Sequence, residues 1–272
     1  MTILQSVLLG ILQGATEFLP VSSTAHLAVV PWLLGWSLDP ELAFAFDVLV
    51  QLGTLLAVIL FFWRDVCLLF MAGLKSLRER SLKDPNARIA WLLVLATIPG
   101  AIAGLALKEI ISSSLQEPIV IGIFLLATAF LLFLAGRRKT TRDLNGMRSW
   151  DALWIGLGQV VALFPGASRS GWTMGAGLLR GIERVSATRF AFLMAIPIML
   201  GAGLVEILDL LNTPALIANL DIILIGFICA AITGFLAIAW LFRFLKNHSL
   251  DLFAGYCFLA GSAVILIRLV RG

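Results

Sequence analysis

Apolar residues run along this chain in solid blocks, without the 3.6-residue or two-residue alternation of a soluble fold. Six blocks stand out: 42–63, 88–107, 118–136, 187–208, 220–243 and 250–267. A helix rises about 1.5 Å per residue and a bilayer core is about 30 Å thick, so each block is long enough to cross a membrane. Two more apolar regions, 2–35 and 151–181, are interrupted. The first breaks at Pro20-Val-Ser-Ser-Thr and the second at Pro165-Gly-Ala-Ser-Arg-Ser-Gly. Each half holds about 10–16 residues, too few to span. Two short helices meeting at a polar turn predict a re-entrant helical hairpin.

Composition agrees with the blocks. The 272 residues are 60% hydrophobic and only 13% charged, with a mean hydropathy of +1.02. An all-α polytopic membrane protein follows: six spans and two re-entrant hairpins in one membrane domain, 1–272. An outer-membrane β-barrel is disfavoured, because its strands carry weak alternating signals in place of solid apolar runs. The first basic residue is Arg64, so the N-terminus lacks the positive start of a secretory signal peptide. Cys67, Cys229 and Cys257 are far apart and form no CxxC pair, which marks them as inert small hydrophobes in or near helices.

Charge tests the map. Of the 20 Lys and Arg, 16 fall in the segments 64–88, 137–150, 180–189 and 243–249. With six spans and two hairpins, all four segments lie on one side, and the positive-inside rule makes that side cytoplasmic. Both termini are then outside. Counting either hairpin as a full span spoils the partition. Arg268 and Arg271 fit this rule poorly. The net charge of +4 sits in these flanking loops and calls for no nucleic-acid partner. The run Arg78–Asp84 reads as a solvated cytoplasmic loop.

The interrupted regions resemble each other. Residues 6–24 set over 152–170, without gaps, align Gly10 with Gly156, Gln13 with Gln159, Phe18 with Phe164 and Ser22 with Ser168. Each copy is a hairpin followed by three spans, and three is an odd number, so the second copy must be inverted. The repeats are roughly 1–136 and 151–272, joined by the basic loop 137–150. The two hairpin tips then meet near the midplane, where inverted-repeat membrane proteins place their sites.

Both tips carry polar chemistry. Ser22 or Ser23, and Ser168 or Ser170, stand where helix N-caps belong. Two helix N-termini aimed at one place make an anion site, and phosphate is the usual anion. Arg169 adds a planar fork that suits phosphate oxygens. Gln13 and Glu17 are four residues apart, on one helix face. A carboxylate with an amide oxygen beside an anion suggests a divalent cation, Mg²⁺ or Ca²⁺, held partly by substrate phosphates. His26 lies three residues past Ser23. Hydroxyl, imidazole, metal and guanidinium around phosphate make a phosphoryl-transfer site. The bland alternatives are plain capping for the serines and Thr24, interhelical hydrogen bonding for Gln13, a structural role for His26, and a structural ion pair for Glu17 and Arg169. The last is the weakest, since charges at that depth are costly and functional by default.

These residues resemble a known family. Gln13-Gly-Ala-Thr-Glu17-Phe-Leu-Pro-Val-Ser-Ser-Thr-Ala-His26 and Pro165-Gly-Ala-Ser-Arg-Ser-Gly-Trp-Thr173 match the two motifs of the undecaprenyl-diphosphatase family, membrane phosphatases linked to bacitracin resistance. The likeness covers essentially the full length. Gln13 is a variant that the family permits, although it brings less negative charge to a metal. The resemblance implies hydrolysis of undecaprenyl diphosphate to undecaprenyl phosphate and inorganic phosphate, in the bacterial cytoplasmic (inner) membrane, with the site open to the outer, periplasmic side. It implies that Glu17 with Gln13 binds the cation or organises the nucleophile. Ser23 and His26 become nucleophile and proton partner, with Ser23 preferred as the attacking group. Arg169, Ser168, Ser170 and Thr173, helped by Ser22 and Thr24, hold the diphosphate. The partners implied are the lipid substrate and the bilayer; a homodimer is left open. The competing class is a polyprenyl-phosphate flippase, which needs Arg169 but has little use for Ser23, His26 and a metal. Acid-phosphatase-like lipid phosphatases are excluded, because their PSGH motif and their Lys/Arg-rich motif are missing.

Overall fold

A computed structural model of the chain describes residues 1–114, 117–210 and 214–271. Among them are twelve α-helices: α1 Ile3–Phe18, α2 Ser23–Leu34, α3 Pro40–Phe61, α4 Trp63–Glu79, α5 Pro85–Ser114, α6 Pro118–Gly136, α7 Ser149–Val161, α8 Arg169–Leu179, α9 Arg184–Leu210, α10 Pro214–Ala218, α11 Leu220–Leu245 and α12 Asp251–Arg271. Six of these helices are long and apolar enough to cross a membrane: α3, α5 over Pro85–Leu107, α6, α9 over Arg184–Ile207, α11 and α12. The protein is thus an all-α polytopic membrane protein with the six expected spans. Four helices begin on a proline, whose missing N–H costs nothing at the first helical position. Asp39 completes the start of α3 by accepting from the Leu42 N–H at 3.0 Å.

The interrupted regions are helix–turn–helix pairs. α1 and α2 hold 16 and 12 residues, α7 and α8 hold 13 and 11. Two of the α-helices match none of the expected segments, α4 and the short α10, and α4 is the longer. The basic segment 64–88 contains α4, a helix of 17 residues. Its apolar positions recur at helical spacing among Arg64, Asp65, Lys75 and Arg78, which is the pattern of a helix with one wet face. Only the link from Arg80 to Asp84 is loop.

Side-chain contacts fix which ends share a face. Ser6 Oγ donates to the Ile222 carbonyl at 2.6 Å, so α1 starts beside the start of α11. Arg268 pairs with Glu117 at 3.9 Å, so the end of α12 meets the start of α6. The four basic segments touch one another at the other end. Arg88 donates to the carbonyl of Met147, Arg189 pairs with Asp65, and Arg184 donates to the His248 carbonyl at 3.3 Å.

A buried carboxylate ties the base of the second pair. Asp151, fully buried, accepts from Arg142 at 2.9 Å, from Arg180 at 2.8 Å and from the Arg148 N–H at 3.0 Å. Burial alone would raise the Asp151 pKa; the hydrogen bonds from Arg142, Arg180 and the Arg148 backbone outweigh it and hold the group below the usual carboxylate range. Arg142 and Arg180 therefore bind structure together as well as marking a face.

Each short pair packs on spans from the other half of the chain. Gly10 of α1 abuts α11 so closely that a Cβ there would lie 2.5 Å from the Gly226 carbonyl oxygen. Gly156 of α7 abuts α5 in the same way, 2.4 Å from the Ala96 carbonyl oxygen. Small residues at such crossings are how helices associate in lipid, where burial of apolar surface brings no gain between them. Further along, Cys257 of α12 donates to the Pro20 carbonyl at 3.4 Å, and Trp172 of α8 donates to Thr128 of α6 at 3.1 Å. Under the first turn, Phe18, Phe62, Phe192 and Phe242 form an edge-to-face cluster. Phe18 is wedged there, which anchors its neighbour Glu17.

Candidate active site

The site grows from the two turns. In the first, Pro20 and Val21 end α1, and Ser22 takes a left-handed φ of 70°, a costly state for a residue with a Cβ. That conformation lets Ser22 work twice. Its hydroxyl accepts from the Ala25 N–H at 3.3 Å and caps α2. Its carbonyl accepts from His26 Nδ1 at 2.7 Å. In the second turn Gly166, at φ 91°, supplies the left-handed step. Ser168 caps α8 by accepting from the Gly171 N–H at 3.1 Å. Of the two alternatives at each turn, Ser22 and Ser168 are the caps, which leaves Ser23 and Ser170 free for other partners.

Those partners join the turns. Ser170 Oγ donates to the Leu19 carbonyl at 2.9 Å. Ser23 Oγ donates to Glu17 Oε2 at 2.5 Å, and Gln13 Nε2 donates to the same oxygen at 3.0 Å. Glu17 Oε1 takes an ion pair from Arg169. Glu17 is thus the hub: a hydroxyl, an amide and a guanidinium all meet on one buried carboxylate. Arg169 also reaches the Met199 sulfur at 3.1 Å, which keeps its fork over the junction.

The remaining expected residues sit at the edge. Thr24 is exposed and its hydroxyl lies 3.1 Å from that of Ser22. Thr173 is buried and bonds back to the Arg169 carbonyl at 2.7 Å, bracing the arginine's helix turn. His26 makes no hydrogen bond to Ser23; its partners are Ser22 and Tyr256. A carbonyl can only accept, so Nδ1 carries the proton to Ser22; Nε2 then accepts from the Tyr256 hydroxyl at 2.6 Å. Both imidazole nitrogens are thereby engaged. Tyr256 escaped the sequence reading because it lies 230 residues from His26 inside an apolar span. The one available signal was that it is the only tyrosine in the chain.

A sequence profile described as "Bacitracin resistance protein BacA" matches residues 6–263. The chain belongs to that family. An undecaprenyl-diphosphatase of Desulforudis audaxviator is 44% identical over 269 residues, covering 98% of each chain. One of Moorella thermoacetica is 40% identical over 272 residues, covering both chains fully. A third, of Pelotomaculum thermopropionicum, is 41% identical over 274 residues, 100% of this chain and 98% of its own. The family's match runs through both turns, so neither lies in a divergent insertion.

The donor set for a divalent cation is thin. Among the described residues no group of three or more His, Cys, Asp or Glu gathers in one place. At the junction there is one carboxylate, one amide oxygen and hydroxyls, and both Glu17 oxygens are in use. Such a set fits a hard cation only where phosphate oxygens supply most of the ligands.

Proposed function

We propose that this protein hydrolyses undecaprenyl diphosphate to undecaprenyl phosphate and inorganic phosphate, returning the carrier lipid to cell-wall synthesis and conferring bacitracin resistance. The carrying observation is the short Ser23–Glu17 hydrogen bond, on a carboxylate that also faces Arg169 from the other half of the chain. The Ser23 oxygen attacks the terminal phosphorus while Glu17 takes its proton. The bond to the bridging oxygen breaks and undecaprenyl phosphate leaves. Glu17 gives that proton up to the departing undecaprenyl phosphate. Water then attacks the phosphoserine and Glu17 takes a proton from the water. The bond between phosphorus and the Ser23 oxygen breaks, and the proton returns to Ser23 as inorganic phosphate is released. General-base catalysis of this kind contributes about 10²–10⁴-fold. Arg169 turns from Glu17 to the phosphate oxygens, and the α2 and α8 N-termini add backbone donors.

With Ser23 as nucleophile, His26 is a supporting group, since its two nitrogens are committed elsewhere. The divalent cation would be held by Glu17 and Gln13 together with the diphosphate, and when bound it supplies charge neutralisation to the leaving group. The chain is read as a multi-pass protein of the bacterial inner membrane. Its basic face is cytoplasmic and the site opens outward, so that the C55 chain stays in lipid while the headgroup enters a polar cavity. The short helix pairs act as re-entrant hairpins of an inverted repeat. Support comes from their exchanged packing, α1 on α11 and α7 on α5. A flippase would have no use for the Ser23–Glu17 bond, and transport is not favoured.

The test is phosphate release from farnesyl diphosphate by pure protein. It should require a divalent metal, stop with EDTA and fall to background in Ser23→Ala. No release with any divalent metal would sink the phosphatase reading. A membrane-impermeant diphosphate competitor should inhibit from the outside of sealed vesicles; inhibition from the cytoplasmic side alone would reverse the orientation.

A further inference from the structure

Arg268 and Arg271 are the two basic residues that sit at the wrong end for a topology signal, on the face that carries the start of α6 and the end of α12. There they line a cavity of about 480 Å³ between α2, α6 and α12. Trp32 and Val29 form its α2 wall, Glu117 and Ile121 its α6 wall. The Arg271 guanidinium lies 5.2 Å over the Trp32 ring, a contact that holds the side chain yet leaves its edge donors pointing away from the ring. Among the described residues Arg268 has only a loose partner, Glu117 at 3.9 Å, whose side chain is 66% exposed. Among the described residues Arg271 makes no ion pair. Two forks with spare donors around a cavity of this size can take a tetrahedral dianion and leave room for the chain attached to it.

The cavity also borders the helix that carries Ser23. Its α2 wall belongs to the helix whose first turn carries Ser23 and His26, and Val29 lies about 9 Å along that helix from Ser23 at 1.5 Å per residue. Ile121 closes against the second turn, where a Cβ on Gly166 would lie 2.4 Å from the Ile121 carbonyl oxygen. A tryptophan at a membrane–water boundary marks headgroup depth.

We propose that this cavity is a second phosphate-binding site, outside the catalytic junction, in which Arg268 and Arg271 hold a phosphate group on its way to or from Ser23. The occupant is either the diphosphate headgroup of the lipid substrate or free inorganic phosphate. The passage to or from Ser23 rests on the phosphatase reading; the binding itself does not. In the full chain in detergent, the double variant Arg268→Gln, Arg271→Gln should weaken inorganic pyrophosphate binding about tenfold by calorimetry, an effect that shrinks at high salt. Glu117→Gln, which removes the competing carboxylate, should strengthen it. If the lipid headgroup is the occupant, KM for farnesyl diphosphate rises about tenfold in the double variant at unchanged kcat. If free phosphate is, inhibition by inorganic phosphate weakens by that factor and KM stays put. Pyrophosphate affinity, KM and phosphate inhibition all unchanged would overturn the proposal. Absence of turnover in the unmodified protein would defeat the phosphatase reading alone, since the calorimetry needs no turnover.

Discussion

The two helix pairs share a scaffold and divide the chemistry. At the sequence offset that aligns them, Leu163 stands for Glu17, Arg169 for Ser23 and Trp172 for His26. The glutamines persist in both, Gln13 and Gln159, and both are buried. Their fates differ. Gln13 donates to Glu17 at 3.0 Å; the Gln159 amide makes no hydrogen bond to a described residue. A buried amide is useful only beside something it can complete, and the second pair has no carboxylate there. In the proposed site the first pair therefore supplies the reactive groups and the second supplies positive charge. The two belong together because the Glu17 charge and the Arg169 charge each make burial of the other tolerable.

The largest break in this division is Arg169→Ala. It should cut phosphate release about 10³-fold by removing the main fixed counter-charge. It also leaves Glu17 buried and unpaired, so thermal stability in detergent should fall by about 3 kcal/mol. Adding Glu17→Gln should restore the stability and not the activity. Near-normal activity in Arg169→Ala would mean that the second turn is outside the site. Next come Ser23→Ala and His26→Ala, compared by single-turnover assays. Ser23→Ala should lose about 10³-fold or more, His26→Ala at least tenfold less than that. The reverse order would make His26 the nucleophile.

Tyr256→Phe removes the one hydroxyl that holds His26 Nε2, and a loss of about three- to tenfold in kcat with little change in KM is expected from a positioning contact. If His26→Ala abolishes that loss, Tyr256 acts through His26. The glutamines sharpen the contrast directly. Gln13→Leu should cost activity about tenfold, while Gln159→Leu should leave it within about twofold and hold or raise the melting temperature, because it removes an amide without a hydrogen bond. Equal losses would erase the asymmetry. The smallest effect concerns pH. Asp151 is held below its unfolded value of about 3.9 by Arg142 and Arg180. Its contribution to stability is present above that value and drains away as pH falls through the lower folded one. Unfolding followed below about pH 4 should show an acid limb that is flatter in Asp151→Asn.

Much of this protein was legible beforehand. Span length is a matter of counting apolar residues against bilayer thickness, and the six helices fall within a few residues of the blocks. The face partition followed from charge alone, and contacts such as Arg189 with Asp65 and Arg184 with the His248 carbonyl bring the basic segments together. Glu17, Ser23 and Arg169, which the structure brings together, stood out because charge and hydroxyls inside apolar runs are expensive and hence conspicuous. The α4 helix was missed because its charges read as loop.

What the sequence determined by itself is the set of things fixed by composition over short windows: which stretches are apolar enough to span, where they break, which polar residues stand at the breaks, and which family those breaks belong to. What only the tertiary structure decided is who meets whom. Ser23 bonds Glu17 and not His26, Ser22 and Ser168 rather than their neighbours are the caps, His26 is held by a tyrosine 230 residues away, and Arg268 and Arg271 line a cavity with Trp32. The reason is physical. Hydropathy and length act locally, so a window of the chain carries them whole. A hydrogen bond depends on a few tenths of an ångström between side chains brought together by helix packing, and no local window holds that distance.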